Sequence, residues 1–146
     1  MNMKTILPPH LKIGVKVEDP LSIVEEAAKI LKGIQNGLFV TGGSKYNDCY
    51  AMAQPQVSCS PLRYFVINPK LGSEIAKAMG GLVIINPRLL SKNKLTRFMS
   101  REGCMSYPFR PEKKTKRFDE IVVTYDLIAG LKNPEVVNVA EKNLRG

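Results

Sequence analysis

Three short segments hold the residue types from which a reactive site could be built. Residues 101–108, REGCMSYP, set Cys104 between Gly103 and Met105, two positions after Glu102. Residues 51–57, AMAQPQV, carry two carboxamides, Gln54 and Gln56, and residues 132–146, KNPEVVNVAEKNLRG, carry Asn138, Glu141 and Asn143. A cysteine thiolate is a strong ligand for zinc and related metals, and a carboxamide can polarise a carbonyl oxygen. A metal, however, needs several such ligands, and the chain has one histidine, His10. Its three cysteines, Cys49, Cys59 and Cys104, include no C-x-x-C pair, so the sequence suggests reduced thiols and neither a disulfide framework nor a zinc knuckle. The polar, glycine-flanked setting of Cys104 separates it from Cys59, which reads as a core filler, although a free cysteine is more often packed than ligating.

The elements that must position these segments follow from periodicity. Asp19 is a good N-cap with Pro20 at the first helical position, and Leu21, Val24, Ala28, Leu31 and Ile34 recur at helical spacing opposite Glu25, Lys29 and Lys32. Gly33 and Gly37 mark the end of that helix. A short second helix is expected over 73–79, capped by Ser73 and stopped by Gly80 and Gly81. Residues 62–68, 81–86 and 120–125 read as strands, being rich in β-branched and aromatic residues between Pro, Gly or Asn, and 38–40 adds a short one. The tail reads as a third helix, with Asn133 as cap, Pro134 in the first turn, and Val136, Val137, Ala140 and Leu144 on one side. This irregular alternation predicts an α+β fold in one domain, 1–146, and 44% hydrophobic residues suffice for one core. No run approaches the roughly 18 apolar residues of a membrane span, and the N-terminus lacks the apolar stretch of a secretory signal, so a cytoplasmic protein is expected.

The formal charge of +9 is unevenly placed. Arg88, Lys92, Lys94, Arg97, Arg101, Arg110, Lys113, Lys114, Lys116 and Arg117 face only Glu102 and Glu112 between residues 88 and 117, which concentrates +8 of the +9 there. Such a field attracts polyanions, so the expected partner is ribosomal RNA or another nucleic acid, or else a larger protein assembly engaged through the same surface. Solvated strand edges, where lysines discourage sheet-to-sheet pairing, account for the same residues equally well.

The order and spacing of the three segments resemble the peptide deformylase family, metal enzymes that remove the formyl group from the N-terminal methionine of new proteins. The likeness covers nearly the whole chain. AMAQPQV stands in place of the family's G-φ-G-L-A-A-P-Q-V, EGCMSYP is the counterpart of E-G-C-L-S, and LRYFVINPK, GLVIINPRLL and RPEKKTKRFDEIVVTYD fill the intervals. The resemblance implies mixed antiparallel sheets around a central C-terminal helix. It also implies that Gln56, with the backbone N–H of Met105, marks the place where the formyl carbonyl would be polarised, and that Cys104 is a ligand to iron, nickel or zinc.

The family's remaining ligands come from H-E-x-x-H on a helix, where histidines at i and i+4 share a face and the glutamate serves as general acid/base. Aligned by its flanks, the tail puts Val139 and Asn143 at the histidine positions and Ala140 at the glutamate. On this alignment the family metal is lost, and Gln56, Glu102, Cys104 and Met105 are vestigial. Ala51 replaces the family's close-approach glycine and Gln54 one of its paired alanines. The expected protein is then a catalytically inactive deformylase-like binding or structural module in a ribosome-associated, nucleic-acid or viral assembly, engaged through the 88–117 surface. Two alternatives stay open. One is an active deformylase with an atypical site using Cys104, Gln56 and Glu102 or Glu141, with Arg101 or a swung-in His10 as helper. The other is a vestigial peptide cleft in which an extended chain pairs with the strand at Ala51, lined by Cys49 and Tyr50.

Overall fold

A computed structural model describes residues 4–5, 14–41, 44–45, 49–92, 95–102, 113–118 and 120–145, with side chains described over 14–39, 49–91 and 120–145. Strands β1 (Lys4–Thr5), β2 (Phe39–Thr41) and β3 (Ser44–Lys45) form a small sheet in which β1 is parallel and β3 antiparallel to β2. The principal sheet has five antiparallel strands: β4 (Ala51–Ala53), β5 (Tyr64–Ile67), β6 (Val83–Lys92), β9 (Glu120–Ile128) and β10 (Val136–Arg145), in the order β10-β9-β6-β5-β4. Between β6 and β9 in sequence, β7 (Leu95–Glu102) and β8 (Lys113–Phe118) pair as a separate antiparallel ribbon.

The first helix starts as expected at Asp19, whose carboxylate accepts the Leu21 N–H at 3.1 Å, but it opens with a tight 3₁₀ turn, Pro20–Ile23, before α1 (Val24–Gln35). Its buried stripe is Ile23, Ala27, Ile30 and Ile34, and the expected stripe is corrected accordingly: Leu21 and Ala28 are exposed, while Val24 and Leu31 flank the seam. The spacing i, i+4, i+7, i+11 is apolar throughout and keeps Glu25 and Lys29 in water. Gly33 lies inside the helix, and the chain leaves through Gly37 at φ 61°. Helix α2 (Ser73–Met79) has the expected bounds, capped by Gly72 rather than by a Ser73 hydroxyl, and ends on Gly80 at φ 91°.

Helix α1 covers one face of the sheet, where Ile23, Ala27, Ile30 and Ile34 meet Met52, Tyr64, Val66, Val83, Ile85 and Ile128. The opposite face gathers Ile67, Ile84, Val123, Tyr125 and Leu127 around Met79 of α2, with Phe65, Ile121, Val139 and Leu144 half-buried against them. Few polar groups enter these layers. The Tyr64 hydroxyl donates to Glu26 of α1, and desolvation, reinforced by the bond to and charge of Glu26, drives the phenol far above its ordinary range. Tyr125 donates to the Met79 carbonyl at 2.7 Å, and burial raises it as well. Asn86, at φ 51°, uses both ends of its amide on the Val17 backbone at 2.8 Å each, tying the chain before α1 to β6.

The tail is the main departure from expectation. Residues 136–145 form a strand hydrogen-bonded to β9, so the expected third helix, and with it a central C-terminal helix in these residues, is overturned. The register opposes Val139 to Tyr125 and Leu144 to Ile121, with a bulge between Val139 and Lys142. That extra residue breaks the alternation: Val139, Lys142 and Leu144 are the half-buried positions, a spacing that neither a regular strand nor a helix produces. The β-branched run Val136, Val137, Val139 decides for the sheet.

Candidate functional site

Strand β4 ends the principal sheet, pairing with β5 through Ala51↔Ile67, Met52↔Val66 and Ala53↔Phe65. Among the described residues its other edge has no strand partner. Met52 points into the α1 core, while Ala51 packs against the opposite cluster. The chain then turns tightly over Gln54–Gln56, where Pro55 fixes the turn. Gln56 Oε1 accepts the Ala53 N–H at 3.0 Å, so the carboxamide that the resemblance assigns to the formyl carbonyl also braces the loop that carries it.

Gln54 proves the better-anchored residue. It is 1% exposed; its Nε2 donates to the Ser60 carbonyl at 3.0 Å and its Oε1 accepts the Leu62 N–H at 2.7 Å, clamping the 54–62 loop against β5. The sequence offered no signal for this role beyond a glutamine in an alanine position. Asn68 was likewise missed. Buried at the far end of β5, it donates to the Cys49 carbonyl at 3.0 Å and receives the Lys70 N–H at 3.0 Å, while its own N–H reaches the Tyr50 carbonyl. The two cysteines exchange their expected places: Cys59 is exposed, and Cys49 is buried with its thiol donating to the Ala51 carbonyl at 3.0 Å. Of the suggested cleft lining, Tyr50 is exposed and Cys49 turns inward.

Cys104, Met105, Lys94, Arg110 and His10 lie outside the described residues. Glu102 is described in its backbone only, as the last residue of β7, opposite Lys113. Arg88 is exposed on β6 opposite Thr124. Lys92, Arg97, Arg101, Lys113, Lys114, Lys116 and Arg117 have described backbone positions, Lys92 in β6 and the rest on the ribbon.

The strand in the tail changes the meaning of Val139, Ala140 and Asn143. On a helix, 139 and 143 would share a face; across the bulge they fall on opposite faces of the sheet, Val139 half-buried beside Tyr125 and Asn143 exposed opposite Val122. Ala140 is exposed. The two positions cannot converge on one ion, so these residues do not fit the family metal. Among the described residues no three His, Cys, Asp or Glu side chains cluster to hold one. No helix among them is long and apolar enough to cross a membrane.

A five-stranded antiparallel sheet with a helix on each face, one edge strand running into a Q-P-Q turn, defines a deformylase-type α+β fold. The family model for polypeptide deformylase matches residues 17–140, and the chain belongs to that family. Among solved structures, the class I type b peptide deformylase of Acinetobacter baumannii has a TM-score of 0.60 at 16% identity, over 100% of this chain and 86% of that one. The Legionella pneumophila enzyme has a TM-score of 0.58 at 21% identity, over 94% and 72%. The Ehrlichia chaffeensis enzyme, solved with actinonin, has 0.57 at 20% identity, over 96% and 76%. These likenesses establish the fold. No curated protein sequence matches the chain.

Proposed function

We propose that the 146-residue chain is a non-catalytic member of the deformylase family, a binding or structural module acting in the cytoplasm within a ribosome-associated, nucleic-acid or viral assembly. The donor inventory carries the reading. Of the ligands that the resemblance implies, Cys104 is in the sequence, and a single histidine, His10, stands against the pair required. The strand over 136–145 supports it from another direction, since the segment that aligns with the metal motif has no helical face on which two ligands could converge. A complete set of the family's own ligands, one cysteine and two histidines, exceeds the single histidine of the sequence. The concentration of +8 between 88 and 117 supports a polyanionic partner.

A second reading has its own observation. The edge of β4 that has no strand partner among the described residues, beside the braced Gln56 loop, is the kind of edge to which an extended peptide adds as a further strand. Binding of peptide without hydrolysis fits the non-catalytic module and gives it a protein partner instead.

The test is turnover of a formyl-Met peptide by purified protein, with Cys104→Ala alongside. The expected result is no release of formate above buffer from either. Turnover that disappears in Cys104→Ala overturns the proposal and establishes an active enzyme with an atypical site.

A further inference from the structure

The two strands that hold most of the basic residues form an element of their own. In the β7–β8 ribbon the register runs Met99↔Lys116, Ser100↔Thr115, Arg101↔Lys114 and Glu102↔Lys113. Opposed pairs two steps apart share a face of an antiparallel ladder, so the register puts Arg101, Lys114 and Lys116 on one face with Met99. The complementary pair, Glu102 and Lys113, falls on the other face. Arg101 and Lys114 are thus like charges directly across from one another, an arrangement that weakens strand pairing unless an anion lies between them. A two-stranded ribbon is marginal to begin with, so it has little stability to spare for that repulsion. Positions two apart along β8 repeat at about 6.7 Å, which suits a row of anionic groups better than a single one.

From this we infer that the β7–β8 ribbon binds the phosphate backbone of single-stranded RNA, with the opposed Arg101 and Lys114 at its centre and Lys116 beside them. The inference rests on the reading of the chain as a binding module and names its partner. RNA is favoured over an acidic protein because Phe118, two positions after Lys116 on β8, continues the same face as Lys114 and Lys116. Every base has a π face that an aromatic ring can stack on, and a surface of carboxylates has none. An arginine also offers a planar fork that matches a phosphate at two oxygens.

The experiment is fluorescence anisotropy of a labelled 16-nucleotide single-stranded RNA titrated with the whole protein between 50 and 200 mM salt. Each phosphate contact on a single strand contributes about 0.7 to the slope of log affinity against log salt, so three contacts predict a slope of about −2.1 and a loss of about 18-fold over that range. The double variant Arg101→Gln, Lys114→Gln should fall to a slope of about −0.7, a loss of about 3-fold. Lys29→Gln, Lys32→Gln, on the outer side of α1, should keep the unaltered protein's slope. The salt dependence of the unaltered protein is itself a test that no folding defect can confound. No RNA binding at 50 mM salt, salt-independent binding, an unchanged slope in the ribbon variant, or poly-glutamate competing as well as RNA would each overturn the proposal. Formate release from the same preparation separates the two ideas. An active protein that still binds RNA through the ribbon refutes the non-catalytic reading alone, and an inactive one that ignores RNA refutes this inference alone.

Discussion

Replacing Val139 by aspartate, and separately Asn143 by aspartate, discriminates the strand from the helix that the tail's spacing suggests. In the sheet, Val139 lies half-buried opposite Tyr125, whereas Asn143 is exposed on the other face. Full burial of a valine is worth about 1.5–3 kcal/mol, so the half-buried side chain contributes about 1, and forcing a carboxylate against the apolar face adds about 1–2. Val139→Asp should therefore cost about 2–3 kcal/mol, a fall in Tm of about 6–9 °C for a domain of this size. Asn143→Asp, at an exposed position, should stay within about 0.5 kcal/mol. Thermal unfolding followed by circular dichroism reads both, with Leu144→Asp expected to follow Val139→Asp because Leu144 joins the same cluster. Equal costs at 139 and 143, with 144 spared, would mean that the two share a face as on a helix, and the strand register would be wrong.

Two further predictions concern the buried polar groups. Because folding raises the phenols of Tyr64 and Tyr125 above their unfolded value of about 10, the stability they confer is complete below that pH and declines above it. Denaturant melts should lose stability as pH rises above about 10, with Tyr64 contributing about 1.4 kcal/mol per pH unit and Tyr125 acting in the same direction, and Tyr64→Phe should make the decline shallower; an unchanged decline would contradict the assignment. Gln54→Ala should cost about 2–3 kcal/mol, since it orphans the Leu62 N–H and the Ser60 carbonyl, and a cost below about 0.5 kcal/mol would show that the loop does not depend on the clamp.

Most of the scaffold was legible because its signals are local. The Asp19-Pro20 start, the Gly80 stop and the runs of β-branched residues each act within a few residues. The face of α1 was read one step off because two apolar series, Leu21-Val24-Ala28-Leu31-Ile34 and Ile23-Ala27-Ile30-Ile34, both run at helical spacing, and packing on the sheet buries the second. The tail misleads for a physical reason as well: Asn133 and Pro134 imitate a helix start and Val136, Val137, Ala140 and Leu144 follow at helical spacing, whereas the bulge gives the half-buried Val139, Lys142 and Leu144 a spacing that neither period explains. The roles of Gln54 and Asn68 depend on partners brought close only by the fold, so no pattern in the sequence announces them. Gln56 was found through its motif, and the hydrogen bond to Ala53 adds that it also braces its own loop.

The central claim, that the ligands supplied by these 146 residues do not assemble a deformylase metal centre, is tested most directly by metal analysis of protein purified anaerobically under reducing conditions. The account predicts well under about 0.1 equivalent of iron, nickel or zinc per chain after gel filtration. About one tightly held equivalent, lost on Cys104→Ala, would contradict it.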